Sequence, residues 1–146
     1  MKRKFFVGVI FMAMIGINFL LPGITYADDL IVIGNRSVPV SELSKKEVKR
    51  IYLGKAKIWD NGIKVYFARL GDDSTTKRFL KHYVKKSPAM FRKYWKRQAF
   101  SGGANPPREF KREKDLVQYV SETKGAVGYI SAKFYSDSVK IISVVH

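Results

Sequence analysis

Apolar positions along the chain follow two different spacings, which predict a layered arrangement of strands and helices. Four segments carry the continuous or alternating apolar pattern of β-strands, at 30–33, 64–68, 126–130 and 139–145. Between them, apolar residues recur at helical spacing and predict four helices, near 45–53, 74–86, 88–100 and 114–123. Because strands and helices alternate, we expect an α/β fold in which helices flank a mixed central sheet.

Local signals mark where several of these elements begin and end. Ser44 and Glu47 have the spacing of a capping box, in which each side chain pairs with a free backbone N–H at the helix start. A serine–proline pair at 87–88 is typical of the first positions of a helix. The Asp-Asn-Gly sequence at 60–62 predicts a turn, and the glycines and prolines at 102–107 predict a loop.

The inward faces of these elements define the predicted core. Its members are the large apolar and aromatic residues on the buried side of each pattern, namely Ile33, Ile51, Phe67, Phe79, Tyr83, Trp95, Val120, Val127 and Ile130. Trp59 follows the first helix, and we expect it to pack over the sheet edge instead of facing solvent. A hydrophobic content of 46%, with 14% aromatic residues, is enough for a packed core and excludes a disordered chain.

The N-terminal residues have the layout of a cleavable secretory signal peptide. Basic residues occupy positions 2–4, Phe5–Leu21 contains no charge, and Ala27 provides a small residue at the predicted cleavage site. We therefore expect residues 1–27 to be a signal peptide and 28–146 to form the domain, periplasmic or secreted and without a stable membrane anchor. The alternative is an uncleaved anchor, for which the uncharged run is short.

Charge is the strongest compositional signal. The 146 residues include 28 Lys and Arg against 12 Asp and Glu, a formal net charge of +16, which falls to +13 when the signal peptide and its three basic residues are removed. Such a charge attracts nucleic acid, an acidic lipid or glycolipid surface, or a small oxyanion. The absence of cysteine excludes disulfides, thiol catalysis, iron–sulfur clusters and thiolate zinc sites, and we expect no cofactor.

Sequence motifs for catalysis and for nucleic-acid binding are absent. His82 stands alone among lysines and His146 is the last residue, and there is no nucleophile elbow, zinc-protease motif or phosphate-binding loop. We therefore expect a protein that is not an enzyme. The basic helical stretches near 77–85 and 92–97 form either an ordinary solvated face or a broad anion-attracting surface. No nucleic-acid motif accompanies them, and export removes ordinary contact with nucleic acid, so no such partner is expected.

Three segments resemble, in order and spacing, motifs of bacterial phosphate-transport substrate-binding proteins. Leu43–Lys55, followed by Trp59–Asn61, resembles their "LSxEExxxIFxGKxxxWxD" stretch. Arg69–Phe79 lies where those proteins carry "RxDGSGTxxxF", and Lys124–Ile130 is similar to their "PGAIGYV". Three motifs in a common order are more specific than any one of them, and together they span most of the chain that follows the predicted signal peptide.

The resemblance implies a type 2 periplasmic-binding-protein fold, in which two α/β lobes close on a ligand. A complete member is more than twice this length, so we expect this chain to correspond to a single lobe. Closure around a ligand then cannot occur within one copy. A lone lobe could bind weakly, self-associate to complete a site, or have lost small-molecule binding.

Two functions of different classes follow from the resemblance and the charge. The first is an exported solute-binding module for phosphate or a related oxyanion, serving an ABC transporter through its permease. The second is a basic interaction or structural protein of the cell envelope that binds no small molecule.

A candidate oxyanion site lies where the second predicted strand ends and the second predicted helix begins. Arg69, at the strand end, offers a planar guanidinium that matches two oxygens of phosphate or sulfate. Free N–H groups at the helix start, together with the hydroxyls of Ser74 and Thr75, can donate to the same anion. The resemblance aligns Asp73, Ser74 and Thr75 with the Ser-Gly-Thr of the family motif.

Asp73 is the main departure from that motif. An ionised carboxylate repels an oxyanion, although it can accept a hydrogen bond from a protonated ligand oxygen. Aspartate is also an ordinary N-cap residue. The alternative interpretation is therefore that residues 73–75 only cap the helix, while Arg69 pairs with Asp72 or Asp73.

Overall fold

The computed structural model of the protein describes residues 29–146. The predicted signal peptide lies outside these residues, so export and its cleavage site stay predictions. Among the helices within 29–146, none has the length and apolar character needed to cross a membrane.

Strands and helices alternate over most of this range. The strands are β1 (Leu30–Gly34), β2 (Glu42–Ser44), β3 (Tyr66–Leu70), β4 (Arg108–Phe110), β5 (Ala126–Ser131) and β6 (Lys140–Val145). The α-helices are α1 (Lys45–Tyr52), α2 (Ser74–Phe79), α3 (Pro88–Ser101) and α4 (Glu113–Glu122). A π-helical turn, Leu80–Val84, continues α2, and a 3-10 turn, Ala132–Phe134, follows β5.

The strands form one mixed sheet in the order β2-β6-β1-β5-β3-β4. β1 runs antiparallel to both β5 and β6, while β2 is parallel to β6. β3 is parallel to both of its neighbours, β5 and β4. The expected α/β class with a mixed central sheet is confirmed, and the parallel strands place the end of β3 beside the end of β4.

Local capping explains why two of the helices begin where the sequence predicts. The Ser44 hydroxyl accepts a hydrogen bond from the Glu47 N–H at 3.1 Å, and Glu47 Oε2 accepts one from the Ser44 N–H at 2.7 Å. The Ser87 hydroxyl caps α3 by accepting from the Met90 N–H at 3.2 Å. These pairs satisfy N–H groups that have no partner within the helix.

Seven of the nine predicted core residues are buried, whereas Phe67 and Tyr83 are only half-buried. Phe67 lies near the start of β3, before the residues that pair with β4, and it borders a cavity there. Tyr83 lies in the π-helical turn, which winds more loosely than an α-helix and leaves the period on which the core prediction rested. Trp59 is buried as expected, and its indole N–H donates to the Gly125 carbonyl at 2.9 Å.

Two strands are missing from the sequence prediction. β2 and β4 have three residues each, too few for an apolar period to be recognised, and they form the two edges of the sheet. Arg108, which directly follows the predicted loop at 102–107, is the first residue of β4. β3 itself ends later than predicted, at Leu70, and its last three residues are all buried.

Candidate functional site

The candidate site is built on the connection between β3 and α2. Gly71–Asp73 forms this short link, in which the Gly71 N–H donates to the Phe110 carbonyl at 3.1 Å and so holds the link against the end of β4. The Asp73 N–H donates to the Gly71 carbonyl at 2.8 Å, which turns the chain sharply into α2. The position of the helix start relative to the strand end is therefore fixed by backbone hydrogen bonds.

Tyr129 of β5 contacts both elements that this connection joins. Its hydroxyl lies 2.8 Å from Thr76 Oγ1 in α2 and accepts a hydrogen bond from the Leu70 N–H of β3 at 3.2 Å. Its ring stacks on Phe79 with the centroids 3.9 Å apart and the planes 9° from parallel. Burial raises the pKa of the Tyr129 phenol to about 12, so the hydroxyl stays protonated and available as a donor.

Arg69 is buried, with 6% of its surface exposed, and its guanidinium is held from several sides. Nε donates to the Leu70 carbonyl at 2.9 Å, and the group lies over the Phe91 ring at 5.5 Å from the centroid. One terminal nitrogen donates to Asp72 Oδ1 at 2.6 Å, and the other is 3.6 Å from Glu109 Oε2. The planar fork therefore already faces two carboxylates.

Asp72 is shared between two cations. Its second carboxylate oxygen pairs with Arg92 of α3, while the first pairs with Arg69. The side chains of Asp72 and Glu109 are 35% and 58% exposed, in contrast to the buried guanidinium that they face. Water competes for both carboxylates, so these ion pairs are easier to replace than the bonds that hold Arg69 in place.

The start of α2 is capped by Asp73, as one of the sequence interpretations predicts. Asp73 Oδ1 accepts a hydrogen bond from the Thr76 N–H at 2.8 Å. The Ser74 and Thr75 N–H groups precede the first intrahelical hydrogen bond, which runs from Lys77 to Asp73. Ser74 is exposed, whereas Thr75 is buried.

The four predicted site residues thus flank one strand-to-helix connection. Arg69 makes its ion pair with Asp72, not with Asp73, which resolves the choice that the sequence left open between these two partners. The capping role of Asp73 and the Arg69–Asp72 pair are both present.

Sequence reasoning missed a cavity of about 260 Å³ beside Arg69. Its walls come from β3, α3 and the segment that leads into β4, with Arg69, Arg92, Trp95, Lys96, Ala99, Pro106, Pro107 and Glu109 as the lining residues. Arg92 and Lys96 are one helical turn apart, and that spacing was visible in the sequence as part of a basic helix face. Nothing in the sequence indicates that Glu109 faces Arg69, because this contact depends on the pairing of β3 with β4.

Within residues 29–146 no group of three or more His, Asp or Glu side chains is placed to hold a metal ion.

The comparisons with known proteins establish the family. A family model described as a PBP superfamily domain matches residues 25–141, and the chain therefore belongs to the PBP superfamily. No curated protein is similar enough to count as a relative.

Solved structures of phosphate-transport proteins share the fold at low sequence identity. An ABC-type phosphate transport receptor from Vibrio cholerae is 20% identical with a TM-score of 0.62. A putative phosphate ABC transporter substrate-binding protein with bound phosphate, from Clostridium perfringens, is 20% identical with a TM-score of 0.63. The matches cover 80% of this chain but only 46% and 45% of those proteins, so the chain spans a little under half their length. The expected single lobe of a periplasmic-binding-protein-like fold is confirmed.

Proposed function

We propose that the chain is an exported binding module for phosphate or a similar oxyanion, with Arg69 as its principal contact. The observation that carries the proposal is the buried Arg69 guanidinium, which opens onto the 260 Å³ cavity together with Arg92 and Lys96. Solved structures with the same fold include transport proteins named for phosphate, one of them with phosphate bound, which supports this ligand class and an extracytoplasmic location.

An oxyanion would bind by replacing the carboxylates that now face Arg69. Asp72 and Glu109 are partly exposed, so they can turn toward solvent while the Leu70 carbonyl and the Phe91 ring keep the guanidinium in place. A tetrahedral anion would then take two charge-assisted hydrogen bonds from the fork of Arg69. Ser74 and Thr75 do not line the cavity, so their N–H groups and hydroxyls would supply further donors to an anion that reaches from Arg69 to the start of α2.

A single lobe closes only one side of such a site. Without a second lobe the ligand stays partly solvated, and we expect weaker binding than in a two-lobed protein. Self-association of two copies, or docking on an ABC permease, would cover the open side.

Replacing Arg69 with alanine is expected to lower the affinity for phosphate by about ten- to hundredfold, because charge-assisted hydrogen bonds are lost. Isothermal titration at fixed salt measures the change. Lys93→Ala is the matched control, since it removes one exposed positive charge from α3 without touching the cavity. Arg69→Lys keeps the positive charge but lacks the planar guanidinium. Weaker phosphate binding by this variant, if it remains folded, would show that the site is lost and not the fold. Equal affinity in wild type, Arg69→Ala and Lys93→Ala would show only diffuse attraction to a basic surface and would contradict the site.

Replacing Asp73 with serine is expected to raise the affinity for phosphate, in the opposite direction to Arg69→Ala. The substitution removes a repelling carboxylate and keeps an oxygen that can accept from the Thr76 N–H. We expect a gain of about two- to fivefold, the range of a partly screened charge pair worth up to about 1 kcal/mol. If Asp73 only caps the helix, the variant changes stability slightly and leaves phosphate binding unchanged, as a parallel titration and urea denaturation would reveal.

A second candidate function is favoured by the contacts of Arg69 as they stand. Its guanidinium is already paired with Asp72 and lies near Glu109, and Asp73 caps α2. Arg69 and Asp73 therefore have partners without a ligand. A basic envelope protein that binds no small molecule fits this arrangement. The absence of heat on titration with phosphate and sulfate, together with a monomeric mass in solution, would favour this second function over the first.

A further inference from the structure

A second cavity, of about 420 Å³, lies at the opposite end of β3 from Arg69. It borders Tyr66 and Phe67 at the start of β3 and Arg108 at the start of β4. The other walls are the chain after α1, the loop after α3 and Tyr119 of α4. Pro106 is the only residue that lines both this cavity and the one beside Arg69 among the described residues. The two cavities are therefore lined by almost entirely different residues.

Cations and aromatic rings line this second cavity together. Its positive side chains are Lys57, Lys64 and Arg108, and its rings are Tyr66, Phe67 and Tyr119. None of the described residues that line it is acidic. Unlike Arg69, its cations therefore meet no carboxylate within the cavity wall.

Cation–π contacts hold two of these cations against the aromatic walls. The Lys64 ammonium lies 5.1 Å from the centroid of the Tyr66 ring. The Arg108 guanidinium lies 5.7 Å from the Tyr119 centroid and 5.9 Å from that of Phe110. Such contacts position a cation without neutralising its charge, so the hydrogen-bond donors stay available for an anion.

We propose that this cavity binds a small aromatic anion, a flat ring system that carries one carboxylate. The ring would pack against Tyr66 and Tyr119, and the carboxylate would accept hydrogen bonds from Arg108 and Lys64. The volume falls in the usual range for small-molecule sites, about 300–1,000 Å³. Inorganic phosphate would engage the cations but leave the rings uncovered, and a neutral ring would leave the cations unused. An aromatic carboxylate satisfies both halves of the lining.

The test uses 2-naphthoate as the probe and follows its fluorescence during titration with the protein purified after export. We expect saturable binding, and a loss of about tenfold in affinity for Arg108→Gln, the size of one hydrogen bond to a charged group. Lys111→Gln is the matched control, because it removes the same charge from an exposed residue that does not line the cavity. Lys64→Gln should weaken binding in the same direction as Arg108→Gln.

Three outcomes would overturn the proposal. The first is no saturable binding of 2-naphthoate at all. The second is an equal loss in Arg108→Gln and Lys111→Gln, which would indicate diffuse charge. The third is equal affinity for the neutral analogue 2-naphthalenemethanol, which would show that the cations are not used. Unchanged naphthoate binding in Arg69→Ala keeps this cavity distinguishable from the proposed phosphate site.

Discussion

Replacing Phe79 with alanine is expected to lower the free energy of unfolding by about 3–5 kcal/mol, the usual cost of a large cavity in a core. Phe79 is fully buried at the end of α2, where its ring stacks on Tyr129 and meets Tyr52 edge-on at a centroid distance of 4.6 Å. The two tyrosines are tied to the backbone of β3 through Leu70 and Ala68, so they cannot easily move to fill the space.

Urea denaturation of wild type and variant measures this change. Phe100→Ala makes the same substitution at a side chain that is 98% exposed, and we expect it to alter stability by less than about 0.5 kcal/mol. Similar stabilities for the two variants would mean that Phe79 is not packed as described. Because Phe79 supports the Tyr129 hydroxyl that bonds to the start of α2, its loss should also weaken any anion binding at the β3–α2 connection.

Features with local causes could be predicted from the sequence. The start of α1 depends on two side chains three residues apart, Ser44 and Glu47, and the capping box alone places it. The start of α3 similarly follows from Ser87 and its neighbouring proline. In both cases every group that determines the helix start lies within one turn of the chain.

Features with distant causes could not be predicted in this way. The short edge strand β4 exists because it pairs with β3, about forty residues earlier in the chain, and its own three residues carry no strand pattern. Tyr83 is half-buried because it lies in a π-helical turn, and no residue in Leu80–Val84 predicts that turn. Tertiary pairing determines both features.

The candidate site likewise has some features with local causes and others with distant causes. Arg69 and the start of α2 can be predicted because a strand end followed by a helix start is visible in the chain, and because the segment resembles a family motif. The pairing of Asp72 with Arg92 was not found, since it requires α3 to lie across the β3–α2 connection. The ion pairs of the site therefore depend on how α3 and β4 pack against the β3–α2 connection.

Gly125→Ala is expected to destabilise the fold by about 2–5 kcal/mol, because a strained backbone and a steric overlap add together. Gly125 has a φ of +78°, which disfavours any residue with a Cβ. A Cβ here would overlap the Lys64 carbonyl oxygen and come within 2.8 Å of the Ile63 side chain. The Gly125 carbonyl also accepts from Trp59 Nε1 and from the Tyr66 N–H, so a shift would disturb the start of β3.

Gly62→Ala separates the two contributions. Gly62 has nearly the same φ, +82°, but a Cβ there would have no neighbour within 4 Å. We expect it to cost only the conformational part, about 1–2 kcal/mol. Thermal and urea unfolding of both variants give the difference, which is the cost of the overlap with the Lys64 backbone. Equal destabilisation by the two substitutions would mean that Gly125 is required only for its backbone conformation. The close approach of Gly125 to the backbone of Lys64 would then contribute nothing to the cost of the substitution.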